Sequence, residues 1–473
     1  MTKNAKSAAA TLEQHTIAAI PESERHGRPR DLFTIWFSSN IMPLTFVTGA
    51  LAPVAFGLPF AASIAAILLG NLVGALFMAL HSAQGPRLGV PQMIQSRGQY
   101  GMIGAVVVIV IAVFMYVGFF ASNLILGGQS INQLIPGVST DWGIVICGLV
   151  SLVITVFGYD LIHAVNKWAT VLFGGAMLLA LAIIIGRGLP THFFTAGSFT
   201  WGGFIGTAAT AGILWQIAYA PYVSDYSRYM PSGDSVRATF WFSYFGVVLG
   251  SVLPMILGVF VGLASSNPDQ ISAIHQLTAG AGWLIMLVFA LGIMDTNSIN
   301  LYGGMLCSIT VGQTFRHRWL PRATTRGVVS TIIVAISLIG ALAFQSTFLT
   351  SYVNFILFLL YVLIPWTAIN LVDYYLIRHG QYDVPSFFRP DGGVYGRVNW
   401  PTLAIYLFGV GIQIPFVNTT LFEGPVARAL GGTDLSWLVG LVVIIPLYYF
   451  VARSRLGRQA GVAAVAPAGS ASA

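Results

Sequence analysis

The chain has 473 residues, of which 56% are hydrophobic and only 8% charged, and its formal net charge is +7. A water-soluble protein of this length needs far more charge on its surface, so a soluble enzyme or soluble binding module is excluded. The positive charge does not mark a nucleic-acid partner, because it lies in the short connectors between apolar runs.

Residues 1–30 are polar and are expected to form a disordered cytoplasmic arm, with no cleavable signal peptide. Twelve apolar runs follow, at 33–56, 59–81, 102–127, 142–158, 168–186, 202–222, 238–262, 282–313, 327–345, 348–370, 401–420 and 435–451. Each is long enough to cross a bilayer, which takes about 17 residues or more. The expected fold class is therefore all-α integral membrane, with twelve transmembrane helices in one domain over 31–452. A low-complexity tail over 453–473 is expected to be disordered and cytoplasmic.

With the N-terminus placed inside, the connectors on the cytoplasmic side hold 20 of the 22 Lys and Arg, all but Arg187 and Arg428. Basic residues resist translocation, so this bias sets the orientation, with both termini cytoplasmic in the cell inner (plasma) membrane. It also supports the count, since one missing segment would scramble the alternation beyond it.

The first segment reads Trp36-Phe-Ser-Ser-Asn40-Ile-Met-Pro43-Leu44-Thr45-Phe-Val-Thr48-Gly49. Proline removes a backbone donor and glycine weakens the helix nearby. Asn40, Thr45 and Thr48 stand ready to serve the freed backbone groups or a ligand. The sixth segment repeats the pattern, with Trp215, Gln216 and Tyr219 ahead of Pro221. Interrupted segments at matching positions of two halves point to an inverted-repeat transporter. The repeats would be 33–187 and 202–370, with two extra helices over 401–451.

The eighth segment carries one carboxylate, Asp295, which is the sole charged residue between Trp283 and Thr314. Thr296, Asn297, Ser298, Asn300 and Tyr302 surround it. Polar groups are costly at bilayer depth and normally line a cavity or pathway, so this cluster reads as a binding and coupling site. Cys147 and Cys307 sit within apolar runs and read as packing residues. The histidines, including His81 and His275, fall near membrane edges without the spacing of a metal site. No Gly-rich phosphate loop with its lysine is present, so ATP is not the expected energy source. Asp225-Tyr-Ser-Arg228 reads as an interfacial structural or gating motif.

Five stretches carry a family resemblance. Trp36-Phe-Ser-Ser-Asn40 opens the first segment, and the loop Gly85-Pro-Arg-Leu-Gly-Val-Pro-Gln-Met-Ile-Gln-Ser-Arg97-Gly-Gln-Tyr100-Gly precedes the third. Gly118-Phe119-Phe120-Ala-Ser-Asn123 lies in the third segment. Ala218-Tyr-Ala-Pro-Tyr-Val-Ser-Asp225 and Asp295-Thr-Asn297-Ser-Ile-Asn300 lie in the sixth and eighth. Together they resemble the nucleobase–cation symporter family in its purine–cytosine permease branch. The resemblance implies a five-plus-five inverted-repeat fold with helices 1 and 6 interrupted, working by alternating access. It also implies import of a nucleobase or related flat heterocycle (cytosine, a purine, uracil or an allantoin-like ring) with H⁺ or Na⁺. The substrate positions so implied are Phe119, Phe120, Asn123, Trp215, Gln216, Asn297 and Asn300, to which Thr45 is added. Trp215 and Gln216 compete for one stacking slot.

An Asn offers both a donor and an acceptor, which suits the mixed edge of a base. The coupling group is expected to comprise Asp295 and Thr296 with Asn40, Pro43 and Leu44 of the first segment. Asp295 carries H⁺, the favoured ion, or helps ligate Na⁺ with Thr296 and a carbonyl near Pro43 or Leu44. No cofactor is expected, no metal apart from such a Na⁺, and no partner beyond the small-molecule substrate and the lipid bilayer, with the chain a monomer. The competing readings are an amino acid or other small-metabolite symporter on the same fold, an integral-membrane enzyme, and a channel.

Overall fold

The computed structural model describes residues 18–157, 159–233, 235–316, 319 and 322–465. The helices are α1 Pro29–Asn40, α2 Pro43–Val54, α3 Phe60–Ser82, α4 Gln92–Tyr100, α5 Val106–Leu134, α6 Thr140–Phe157 and α7 Tyr159–Gly186. The chain continues through α8 Trp201–Thr207, a π-helical stretch Ala208–Leu214, α9 Trp215–Ile217 and α10 Val223–Ser227. It ends with α11 Ser235–Ala264, α12 Gln270–Thr278, α13 Gly282–Phe315, α14 Ala323–Phe344, α15 Phe348–Leu371, α16 Trp400–Gln413 and α17 Ser436–Val465. Among the described residues there is no sheet, only an isolated bridge between Asn418 and Glu423.

The twelve apolar runs all fall on this helical framework. Among the described residues, six helical stretches are long and apolar enough to cross a membrane, and α1 with α2 form a seventh as a bent pair. One of the six, Thr324–Ile377, contains both α14 and α15. Three other apolar helices, over Thr140–Thr155, Val171–Gly186 and Trp400–Phe416, are shorter.

The first segment breaks where the proline pattern predicts. α1 ends at Ile41 (ψ 74°), Met42 is extended, and Pro43 starts α2 at a bend of 64°. Proline suits a first helical position, where its missing N–H costs nothing. The sixth segment is interrupted differently. It widens into the π stretch at Ala208–Leu214 and tightens into a 3₁₀ turn at Ala220–Tyr222 with Pro221 inside it. Such a stretch frees backbone groups without a sharp bend and is frequent at functional sites.

Glycines bring the central helices into backbone contact. A Cβ on Gly70 of α3 would overlap the carbonyl of Ala208, and one on Gly212 would overlap the backbone of Gly70. Gly49 of α2 lies against Met255 of α11 in the same way. Gly246 and Gly250 of α11 lie against Phe33 and Phe37 of α1. Small residues at such crossings are the usual means of close helix packing in lipid.

Two terminal expectations change. Residues 18–28 are docked rather than free: Ile20 is buried, its N–H bonds Gly89 O at 2.9 Å, and Arg25 Nε bonds Ile20 O at 3.0 Å. The apolar Ile20 and the paired Arg25 explain why this half of the segment packs. Residues 1–17 of the expected arm lie outside the described residues. At the other end α17 runs on to Val465, past the expected boundary at 453, and residues 466–473 lie outside the described residues.

Between α3 and α5, α4 is buried along its whole length. Its Arg97 donates to Phe387 O at 2.7 Å and Thr314 Oγ1 at 3.1 Å, tying the 379–397 loop to α13. Asp373, at the end of α15, accepts from Tyr448 Oη at 2.9 Å and Arg378 Nε at 3.1 Å, and from Tyr382. His81 lies in the last turn of α3 and is buried, its ring stacked on Trp366 at 4.8 Å.

Candidate functional site

The break in the first segment and the π stretch of the sixth meet at Asn40. Its carboxamide oxygen accepts from Trp215 Nε1 at 2.7 Å and Tyr219 Oη at 2.8 Å, with Ser251 Oγ of α11 at 2.9 Å. Its Nδ2 donates to Trp36 O at 2.7 Å. Asn40 is fully buried, and these partners fill its acceptor oxygen and one of its two N–H donors. The side chain expected to help coordinate a cation instead clamps α1 to α9 and α11.

Trp215 and Gln216 point apart. Gln216 Nε2 donates to Asn71 Oδ1 of α3 at 2.6 Å and to Ser251 Oγ at 3.1 Å. Asn71 in turn bonds Ala211 O at 3.1 Å, within the π stretch. Trp215 faces the other way, edge-on to Phe119 of α5 with ring centroids 6.2 Å apart. Phe119 also meets Phe355 of α15 at 5.2 Å, at an interplanar angle of 83°. Of the two residues competing for the stacking slot, only Trp215 sits with the aromatic wall.

Several of the expected site residues carry buried polar atoms without partners. Both Asn123 side-chain atoms, Asn297 Oδ1 and Thr45 Oγ1 make no hydrogen bond among the described residues. Asn297 Nδ2 donates to Phe120 O at 3.3 Å, which places it against the turn of α5 that ends at Asn123. A buried polar group left unpaired costs about 1–3 kcal/mol, so an amide with both ends orphaned is poor design for stability alone. Phe120 itself is fully buried in the core. Asn300 lies one turn beyond Asn297 on the same face and is half-buried.

Asp295 is buried but stands nearly opposite Asn297 around α13, two residues earlier in a helix of 3.6 per turn. Its stripe faces α6 and α7. Phe173 of α7 covers Gly292, and Ser298 Oγ lies 3.4 Å from Ser151 O of α6. Ser151 and Thr155 of α6 donate to the carbonyls of Met294 and Ser298 at 3.2 and 3.3 Å. Next to Phe173, Gly174 brings α7 to Ile41: the Ile41 side chain would lie 3.8 Å from a Cβ there. The helix-1 break, α7 and the Asp295 stripe are thus neighbours. Leu44 O already accepts from Thr48 Oγ1 at 2.7 Å, Thr48 reaches Tyr352 Oη at 2.8 Å, and Pro43 opens α2. Thr296 is half-buried. Among the described residues no group of three or more His, Cys, Asp or Glu is placed to hold a metal ion.

Asn71, Ser251 and Tyr352 were not singled out from the sequence. Asn71 was detectable: a lone amide in the apolar second segment is the same signal as Asp295 in the eighth. The others are hydroxyls, which are common in transmembrane helices and carry no such contrast.

Residues 19–440 match the model of a family described as permeases for cytosine/purines, uracil, thiamine and allantoin. The chain belongs to this permease family. The putative purine-cytosine permease YxlA of Bacillus subtilis is 41% identical over 457 residues, spanning 95% of this permease and 98% of the relative. The purine-cytosine permease FCY2 of Saccharomyces cerevisiae is 26% identical, over 86% of this chain and 79% of its own. Among solved structures, the inward-facing conformation of Mhp1 superposes with a TM-score of 0.76 at 18% identity, covering 95% of both chains. At that identity the likeness establishes the transporter fold and no more. Mhp1 has also been solved in a closed conformation with bromovinylhydantoin bound, as a nucleobase-cation-symport-1 family transporter. The permease is therefore a multi-pass membrane transporter, and the membrane-enzyme reading falls.

Proposed function

We propose that this permease imports a nucleobase or a closely related flat N-heterocycle by symport with a cation, H⁺ being favoured over Na⁺, through alternating access. The observation that carries the reading is the orphaned Asn123 amide beside the Phe119–Trp215 wall. A flat ring laid against the aromatics would satisfy both ends of that amide with its own donor and acceptor edge. Asn297 and Thr45 offer further edge contacts, with Asn300 on the flank. Gln216 and Phe120 act behind the site, as supports. The purine–cytosine names of the relatives and the heterocycle bound by Mhp1 agree in class.

In this reading Asp295 is the coupling group. It sits on the far side of α13 from the substrate amides, beside Thr296 and next to the α7 contact with the helix-1 break. Protonation there would change how α13 packs on α6 and α7. Asn40 leaves the coupling set and becomes the clamp between α1 and α9. Twelve spans, a five-plus-five repeat, two cytoplasmic termini, an inner-membrane location and a monomer complete the proposal, supported by the charge bias and the proline break.

The test is uptake into proteoliposomes of the purified protein, with labelled cytosine under an imposed inward proton or sodium gradient. Unlabelled adenine, hypoxanthine, uracil, allantoin and a set of amino acids serve as competitors. Accumulation driven by the proton gradient and blocked by bases alone is expected. Competition by amino acids and not by bases would overturn the substrate class. Accumulation that follows sodium at constant pH would overturn the ion.

A further inference from the structure

The α1–α11 contact is tight in its middle and opens at its cytoplasmic end. Gly246 and Gly250 seat α11 on Phe33 and Phe37 of α1. One and two turns earlier the same stripe of α11 carries Phe242 and Ala238, and there α1 is only beginning. The result is an open groove of about 440 Å³ lined by Arg28, Pro29, Arg30, Ala238 and Phe242. Arg28 and Arg30 are exposed, as is Arg237, and none of the three side chains has a hydrogen-bond or ion-pair partner among the described residues. Asp31 follows Arg30 in the chain.

The lower side of the groove is apolar and continues outward. Trp241, Phe242, Phe245, Leu249 and Leu253 are all exposed large hydrophobics along α11. Trp241, Phe245, Leu249 and Leu253 recur every four residues, with Phe242 at their edge, so they form one face running from the arginines toward the bilayer centre. A cleft with guanidinium groups at its mouth and a bare apolar track leading into the membrane has the shape and polarity of a phospholipid. A soluble anion would use only the mouth, and a neutral lipid only the track. Guanidinium groups pair with phosphate oxygens in two-pronged fashion.

We propose that this groove is a binding site for an anionic phospholipid, its phosphate held by Arg28 and Arg30 and one acyl chain lying along α11. Its place in the cytoplasmic leaflet rests on the orientation proposed above. Binding in detergent does not depend on that orientation, so the two stand or fall separately.

The experiment is a titration of the thermal unfolding midpoint of the purified full-length protein in mild detergent with phosphatidylglycerol, phosphatidylcholine or inorganic phosphate. Phosphatidylglycerol should raise the midpoint saturably, while the other two leave it in place. Near a membrane surface each basic residue contributes a roughly fivefold to sixfold gain in affinity for anionic lipid, so R28Q/R30Q should weaken the apparent affinity roughly thirtyfold. R322Q/R326Q, which removes the same charge elsewhere on that side, should not. Should R28Q/R30Q fold poorly, Ala238→Trp fills the groove without changing charge and should abolish the shift. Equal losses in both arginine pairs, an equal shift with inorganic phosphate, or an undiminished shift in Ala238→Trp would each overturn the site.

Discussion

The indole N–H of Trp215 donates to the carboxamide oxygen of Asn40 across 2.7 Å, joining the two interrupted segments at their centre. That bond fixes the tryptophan ring against Phe119 and so sets one side of the proposed substrate slot. It also makes Asn40 a load shared by three donors from α9, the turn after it, and α11.

Asn40→Ala should destabilise the protein, because it strands an indole N–H and a tyrosine hydroxyl in a dry interior. Each stranded donor costs about 1–3 kcal/mol, tempered by any relaxation of the helices. The expected outcome is a thermal midpoint several degrees lower, with Asn40→Asp, which keeps the acceptor, falling between. A midpoint unchanged in Asn40→Ala would remove the clamp.

Asn123 should behave in the opposite way. Its two side-chain atoms have no partners among the described residues, so Asn123→Ala should leave the midpoint unchanged or raise it. Substrate affinity should fall about tenfold or more, as expected for losing a two-point contact worth at least about 1.4 kcal/mol. Binding measured by ligand-induced thermal shift separates the two effects. A large loss of stability without ligand would make Asn123 structural.

Phe119→Ala should widen the slot and weaken substrate binding by about tenfold, from lost ring contact with the base and with Trp215. Phe119→Trp should keep binding, since it retains an aromatic face at the same place. Equilibrium binding of labelled cytosine to both variants checks this.

Asp295→Asn should uncouple transport. The variant is expected to exchange labelled for unlabelled substrate across the vesicle membrane but not to accumulate it against a gradient. Its residual uptake should no longer rise as the outside is acidified. Undiminished, pH-dependent accumulation would remove Asp295 from coupling.

Gly212→Val should prevent stable folding, because its side chain would enter the backbone of Gly70. Gly175→Val is the matched control: it meets nothing within 4 Å of its Cβ and should be tolerated. Expression and elution profile in detergent report both.

Much of this architecture was legible in the chain itself. Each apolar run came to carry helix, apart from short ends and breaks such as 417–420 and with residue 158 outside the described residues, because a long stretch with no polar partner must satisfy its own backbone in lipid. Pro43 announced the break at Ile41–Met42, since it can only begin a helix there. The π stretch at Ala208–Leu214 was not legible: its residues are small and apolar, and the α3 backbone it lies against at Gly70 comes from far earlier in the chain. Side-chain direction was likewise hidden. Asn40 looked available for an ion until α9 and α11 arrived from far along the chain. Trp215 and Gln216 are adjacent and equally plausible on paper, yet Asn71 draws the glutamine to the opposite side. The docking of residues 18–28 depended on Gly89 and Pro86, which no local pattern foretold.

Gly70 and Gly212 put two main chains in direct touch, and that has a mechanical outcome. α3 and the π stretch have no lubricating layer of side chains between them, so they cannot slip and must swing as a single plate. Phe119 and Phe355, by contrast, meet ring to ring without a hydrogen bond between them, and edge-to-face rings part and re-form at little cost.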